Sequence, residues 1–359
     1  MNVLSLFNGM SFCSMALESL GVNVEKMYSS EIDKYANQAT QALYPDTIQL
    51  GDVTQWREWD IDWASIDLVT GVFPCQAWSM AGKQLGDKDE RGMLFWTMLD
   101  IMKHVKYHNP NADFLIENVK MKKEFEEYIT LHTENALGKV HKILINSALV
   151  SAQNRNRYYW TSFEVDQPED KGVLLCEITE DGNGKCGAQR GRYIVNGKRG
   201  DHLVESQKGI TEQRIEIRKD EKTNTLTTVQ KDNLVIVDEK YNLSNKLING
   251  FYNKKGGFNG RFNPMNQDLK PKSFCLTARY FKCGATDPYI ITGTTDDNLY
   301  GISARKLTPR ECFRLQTVPE HHIDTLLSVG ISNTQLYKMC GNGWTMEVIK
   351  HILRARLDS

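Results

Sequence analysis

The sequence lacks any apolar stretch approaching the roughly 20 residues that a membrane-spanning helix needs, so a helical membrane protein is excluded. Its eight cysteines include no Cys-x-x-Cys pair. Neither a zinc ribbon nor a secreted disulfide framework is therefore expected; no metal site is read, and a reducing cytoplasm is the expected location. The N-terminus enters an apolar pattern at Val3 without a preceding basic stretch, so no signal peptide is read. An excess of one charge is also missing: 44 Lys and Arg stand against 45 Asp and Glu. That balance argues against a uniformly basic nucleic-acid binder.

What is present is a chain of 359 residues, 40 % hydrophobic and 25 % charged, ordinary for a globular protein with one large core and a second, smaller unit. Short β-branched runs at residues 3–7, 24–29, 47–50, 66–72, 112–116, 140–145 and 157–161 predict strands. Between several of them the apolar spacing is three and four, as in Met15, Ala16 and Leu20, or Leu94, Met98, Ile101, Met102 and Val105. This alternation predicts an α/β fold with a doubly wound, mostly parallel sheet.

After about Phe163 the texture changes, and Gly, Lys, Arg and Asn punctuate short runs. Residues 222–237 and 272–292 echo each other weakly and predict two similar strand pairs in a β-rich second domain. An amphipathic helical pattern returns from Thr334, broken at Gly341-Asn342-Gly343, and is expected to dock back on the first sheet. The expected organisation is a catalytic domain of residues 1–163 plus 334–359, with residues 164–333 as the second domain. Charge is unevenly spread: residues 180–282 carry 20 Lys and Arg against 12 Asp and Glu, a balance of +8. A segment of that sign suits a polyanion, although a lysine-rich loop region would look the same.

Two residues carry the chemistry. Phe73-Pro74-Cys75-Gln76 ends one predicted strand and Glu117-Asn118-Val119 ends another. In a parallel α/β sheet, ligands bind outside the carboxyl ends of the strands. A cysteine offers a soft nucleophile there, and a glutamate an acid able to protonate a ring nitrogen. The pair suits covalent attack on a heterocycle. Arg155 and Arg157 share one face of a strand and can point into the same pocket, or form a solvated ion-paired face. Upstream, the first strand ends in Phe7-Asn8-Gly9-Met10-Ser11, a glycine turn before a helix that admits a ligand to backbone amides. The next strand end brings Glu31, able to accept ribose hydroxyls, and the third brings Asp52, able to accept an adenine amino group. Turn, acid and acid describe a nucleoside-containing cofactor; Glu31 and Asp52 read alternatively as helix caps.

These residues resemble the signatures of the DNA cytosine-5 methyltransferase family, in its stand-alone prokaryotic or phage form. They are Leu6-Phe7-Asn8-Gly9, Gly71 through Ser79, Asp89-Glu90-Arg91-Gly92 with Leu94-Phe95, Glu117-Asn118-Val119, Gln153 through Arg157, Leu307 through Cys312 with Leu315-Gln316, and Gly341-Asn342. They occur in the family's order across nearly the whole chain. The resemblance implies the S-adenosylmethionine-dependent methyltransferase fold with a smaller target-recognition domain. It implies transfer of a methyl group from S-adenosyl-L-methionine to C5 of cytosine in duplex DNA, through a covalent bond from Cys75 to C6 of a flipped-out base. Glu117 would bond N3 and the exocyclic amine, Arg157 the O2 atom, and Arg155 would orient the acid or a phosphate. For the cofactor, Phe7 would pack on adenine, Glu31 hold the ribose, Ile32 cover the ring, and Asp52 and Val53 read adenine. Pro74, Leu94 and Asn342 would line the methionine end, and Gly9 and Ser11 the carboxylate. Ser11 stands where many members continue with glycines. Phe7 and Leu94 serve equally as plain core. Residues 76–92 would form a loop closing over DNA. A monomer is expected. A tRNA-methylating relative is the alternative, but its Cys-Phe-Thr reads Cys275-Leu276-Thr277 here.

Overall fold

Seven short strands predicted from the sequence assemble into one sheet. In the computed structural model residues 1–74, 92–180 and 307–358 are described in full, with the backbone alone of strands at 187–195, 198–199, 211–217 and 223–224. The strands are β1 (Asn2–Leu6), β2 (Lys26–Ser30), β3 (Ile48–Gln49), β4 (Ile66–Gly71), β5 (Asp113–Val119), β6 (His141–Asn146) and, after the short β7 (Gln153–Asn154), β8 (Asn156–Thr161). Their order is β3-β2-β1-β4-β5-β8-β6. Pairing is parallel from β3 to β5 and antiparallel where β8 inserts between β5 and β6. The chain runs outward from β1 to β3, then returns to place β4 on the other side of β1. That reversal opens a crevice at the carboxyl ends of β1 and β4.

Side-chain alternation puts one core on each face of the sheet. Val3, Leu68, Leu115 and Tyr159 belong to one buried cluster, and their neighbours Leu4, Val69, Ile116 and Trp160 to the other. A period of two along each strand requires this division. The second cluster is covered by α3 (Leu94–His108) and α4 (Lys123–Leu137), and α3 buries Met98, Ile101, Met102 and Val105 as its spacing predicted. The first cluster is covered by α1 (Phe12–Ser19), α2 (Lys34–Leu43), the single turn α5 (Leu175–Ile178) and four later helices. Those four are α6 (Pro309–Leu315), α7 (Glu320–Ser328), α8 (Asn333–Asn342) and α9 (Met346–Asp358).

The first core extends beyond the boundaries expected from the sequence. Leu175, Ile178, Leu307, Cys312, Phe313, Leu315, Ile323 and Ile331 all pack in the cluster that contains Val3. Residues 164–180 and 307–333 therefore contribute side chains to the same core as the sheet. Only packing reveals which core their apolar residues join. A capping box fixes the return. Thr308 Oγ1 accepts the Glu311 N–H at 3.2 Å, and Glu311 Oε2 accepts the Thr308 N–H at 2.8 Å, with Pro309 at the first helical position. The same corner holds the outgoing chain. Glu180 N–H donates to Glu311 Oε1 at 2.9 Å, and Thr308 Oγ1 donates to Glu180 Oε2 at 2.7 Å. Residues 181–306 thus leave and re-enter the core at one point.

Within that insertion the described segments are all strands: β9 (Gly187–Val195), β10 (Lys198–Arg199) and β11 (Thr211–Ile217) form an antiparallel sheet in the order β10-β9-β11. β12 (Thr223–Asn224) pairs in parallel with β7. The expected strands at 233–237 and 272–292 lie outside the described residues. No helix among the described residues is long and apolar enough to cross a membrane.

Candidate active site

The turn after β1 is held in a conformation that side chains seldom adopt. Phe7, Gly9 and Ser11 have φ of 55°, 60° and 68°. Two of the three are not glycine, a strain of order 1–3 kcal/mol each that the surroundings must hold in place. They do so through a buried hydroxyl network: Asn8 Nδ2 donates to Ser11 Oγ at 2.9 Å, and Ser11 Oγ lies 2.9 Å from Thr40 Oγ1. Ser11 is fully buried, and its own N–H donates to the Asn8 carbonyl. Its hydroxyl serves as an internal strut of the turn.

Glu31 connects the ends of β1 and β2. Its Oε2 accepts the Gly9 N–H at 2.9 Å, and Oε1 accepts the N–H groups of Ile32 at 2.9 Å and Asp33 at 2.8 Å. It is therefore not a helix cap; Asp33 caps α2 instead, accepting from Tyr35 N–H. The Ile32 side chain beside it is 76 % exposed, an apolar group presented to solvent. Asp52 does cap: its Oδ1 accepts from Thr54 N–H and Thr54 Oγ1, both at 2.8 Å, and starts a 3-10 turn at Val53. Val53 is buried, while Phe7 and Leu94 are partly buried against the same cluster.

Glu117 occupies a buried corner on the antiparallel side. The apolar run ends at Ile116, yet β5 continues to Val119, because β8 still pairs with it after β4 has ended. This extension carries Glu117 opposite Tyr159 and Val119 opposite Arg157. Glu117 is 3 % exposed, and its Oε1 lies 2.9 Å from Arg157 Nε. The approach is a charge pair and not an aligned hydrogen bond, since Oε1 has no hydrogen-bond partner among the described residues. Its other oxygen, Oε2, accepts the indole N–H of Trp344 at 3.2 Å. The Tyr159 phenol is pushed up, by burial first and then by the Glu117 charge, so it stays protonated.

Arg155 and Arg157 are both buried and take different tasks. Arg157 donates from Nη1 to the Asn156 carbonyl at 2.9 Å while facing Glu117. Arg155 donates from Nη2 to the Gly343 carbonyl at 2.7 Å and from Nη1 to the Gly341 carbonyl at 3.5 Å. It thereby grips the backbone on both sides of Asn342, which is exposed at the end of α8. Gly343 itself lies against α1. A Cβ there would fall 2.1 Å from a ring carbon of Phe12, a distance no side chain tolerates.

Cys75 and residues 76–91 lie outside the described residues. The strand that leads to them is anchored: Asn118 Nδ2 donates to the Phe73 carbonyl at 3.0 Å, two residues before Cys75. Pro74 is half-buried beside it. Among the described cysteines, burial pushes the Cys13 thiol up to about 12 and raises that of Cys340. Protonated thiols of this kind are poor nucleophiles. Trp344 carries no motif signal of its own, and Asn118, although a motif residue, had no expected role. Gln153 and Gln316, two motif residues without an expected role, join in a buried network, with Gln153 Nε2 donating to Gln316 Oε1 at 3.2 Å.

Comparison with known proteins agrees with this geometry. The model of the C-5 cytosine-specific DNA methylase family matches residues 1–357. The type II methyltransferase M1.ScrFI of Lactococcus lactis subsp. cremoris is 31 % identical over 351 residues, 93 % of this chain and 72 % of that protein. M.NlaX of Neisseria lactamica is 28 % identical, over 98 % of this chain and 94 % of that protein. The orphan methyltransferase M.SPRI of Bacillus phage SPR is 26 % identical, over 99 % and 97 %. Among solved structures, the Dnmt2 methyltransferase of S. pombe superposes with a TM-score of 0.60 at 16 % identity, covering 100 % of this chain and 98 % of that one. That last likeness concerns the fold alone.

Proposed function

The chain belongs to the C-5 cytosine-specific DNA methylases, and from that premise we propose that it methylates duplex DNA through a covalent bond between Cys75 and C6 of a cytosine turned out of the helix. C5 of cytosine is too weak a nucleophile to take a methyl group unaided. Addition of the Cys75 thiolate to C6 moves the C5–C6 π electrons onto C5, and protonation at N3 makes that addition easier. Loss of the C5 proton and expulsion of the thiolate then restore the ring. S-adenosyl-L-methionine, when bound, supplies the electrophilic methyl group.

The observation that carries this reading is the buried Glu117, paired with Arg157 through an oxygen that lacks a hydrogen bond, next to the Asn118 anchor of the Cys75 strand. A buried acceptor in that condition is costly unless a ligand completes it. A cytosine would do so: N3 and the amino group meet Glu117, and O2 takes Arg157. Removal of a reacting base from the stack is required for any such contact.

The crevice fits the cofactor. Glu31, already polarised by three backbone N–H groups, presents Oε2 to the ribose; Phe7 and the exposed Ile32 offer apolar faces to adenine. Asp52 and Val53 face the same ring, Gly9 leaves its turn open, and Pro74, Leu94 and Asn342 close the methionine end. Arg155 serves by holding the Asn342 segment. Residues 181–306, entering and leaving at Glu180 and Thr308, form the target-recognition surface on duplex DNA, where base-edge contacts set the sequence read. The protein acts as a monomer.

Incubation of the protein with S-adenosyl-L-methionine and duplex DNA, followed by bisulfite sequencing, tests this. Cytosines in one short sequence context should become resistant. A folded protein that leaves every context convertible would refute the proposal.

A further inference from the structure

Trp344 stands between the cofactor-side segment and the catalytic carboxyl group. The chain passes from Asn342 through Gly343 to Trp344, whose ring is 4 % exposed and whose Nε1–H donates to Glu117 Oε2 at 3.2 Å. The segment is fixed on either side, after Trp344 by Thr345 Oγ1 donating to Gln316 Oε1 at 3.0 Å and Met346 N–H donating to the Gln316 carbonyl at 2.9 Å. Gly343 lies against Phe12, its carbonyl accepts from Arg155, and the Cys340 carbonyl accepts Gln316 Nε2 at 2.5 Å. Trp344 therefore has little freedom to follow Glu117 if the carboxyl group rotates.

The chemistry of the donor matters more than its bulk. An indole N–H donates and never accepts. The unprotonated oxygen of a carboxyl group is the better acceptor, so the contact with Trp344 favours a proton of Glu117 on Oε1. Oε1 is also the oxygen without a hydrogen bond among the described residues. The charged and titratable groups near the carboxyl group are Arg157 and Arg155, which stay cationic, and Tyr159, which stays neutral. Arg157, also a donor only, lies against Oε1 in the free protein and turns to O2 of the entering base in the function proposed above, which leaves Trp344 as the donor that tells the two oxygens apart. A carboxyl group free to turn would present either oxygen to the base, and half of its orientations would be unproductive.

We propose that Trp344 is a positioning residue for Glu117: its N–H pins Oε2 as acceptor and leaves Oε1 as the oxygen that delivers the proton to N3 of the target cytosine. This rests on the role given to Glu117 above.

Trp344→Phe keeps the ring and removes the N–H. In the methyl-transfer assay kcat should fall about tenfold while KM for DNA and for S-adenosyl-L-methionine changes less than about threefold, as loss of one hydrogen bond to a charged group implies. A folded Trp344→Phe with unchanged kcat, or with KM raised as much as kcat falls, overturns the proposal. Wild-type protein run in parallel reports on the reaction itself, so its inactivity would strike the proposed function instead. A second measurement needs no change at Trp344. Of the seven tryptophan indole N–H resonances in the intact protein, that of Trp344 should shift in Glu117→Gln. If none of them responds to Glu117→Gln, the contact and the proposal fail together.

Discussion

Asn118 Nδ2 donates to the carbonyl of Phe73 at 3.0 Å, joining the end of β4 to the end of β5. Both groups are buried, and Asn118 Oδ1 is itself occupied by the Val119 N–H at 2.8 Å. One side chain thus stitches the strand carrying Glu117, the proposed acid, to the strand that leads to Cys75. Asn118→Ala should remove this buried hydrogen bond, at about 0.5–1.5 kcal/mol. Applied to the alignment of the reacting groups, that loss corresponds to a kcat lower by about twofold to tenfold. Binding of S-adenosyl-L-methionine, measured by calorimetry, should be unchanged. Weakened cofactor binding with normal kcat would show that the bond supports the crevice instead.

Arg157 neutralises the buried Glu117 charge at 2.9 Å. Removing one partner strands the other, so Arg157→Met should destabilise the fold by about 3–5 kcal/mol, more than the double variant Glu117→Gln with Arg157→Met. Chemical denaturation of the two variants checks the order. Equal stabilities would mean that the pair exchanges little energy and that the fold tolerates the bare carboxyl group.

A pH response is built into the contact between α1 and α7, away from the site. Tyr44 donates to Glu18 Oε2 at 2.6 Å, and His322 Nε2 lies 2.9 Å from the same oxygen. Burial holds His322 below its ordinary value of 6.5, with the neighbouring His321 acting in the same direction and Glu18 opposing. At Glu18 burial acts upward, but the hydrogen bonds from Tyr44 and His322 prevail and hold it below 4.5. Both folded-state values are depressed, so both groups stabilise the fold above their unfolded values and lose that contribution on acidification. Stability should be level above pH 6.5 and should decline below it, by no more than about 1.4 kcal/mol per pH unit from His322. In His322→Asn the melting temperature should stop falling between pH 6.5 and 5. A wild-type melting temperature that rises over that interval would reverse the sign and discard the account.

The sheet strands were legible because their centres, such as Leu68 and Val69 in β4, are apolar and buried in a core on either face, although Asp67 and Thr70 interrupt the run. β5 was legible only to Ile116, since its last residues are polar and are held by backbone pairing with β8. The packing of 164–180 and 307–333 was not legible, because an apolar residue such as Leu175 or Phe313 shows which core it joins only once packed. In the site, Glu117, Arg155 and Arg157 were marked by the family signature. Ser11 was expected at the ligand, and the Asn8 and Thr40 network that its hydroxyl joins was not legible. The break at Gly343 was visible as a break, whereas its cause, the ring of Phe12, is distant in sequence. Trp344 carried no signal, because a lone tryptophan after a glycine reads as core until its N–H is found on Glu117.

The bond between Cys75 and the target base is the claim on which the rest depends. Duplex DNA bearing 5-fluorocytosine cannot release the enzyme after methyl transfer, because fluorine at C5 does not leave as a proton does. With S-adenosyl-L-methionine present, wild-type protein should form a complex that survives denaturing electrophoresis, with the DNA attached to the peptide containing Cys75. Cys75→Ala should form none. A denaturation-resistant complex of equal yield from Cys75→Ala, or attachment at any other residue, would contradict the mechanism.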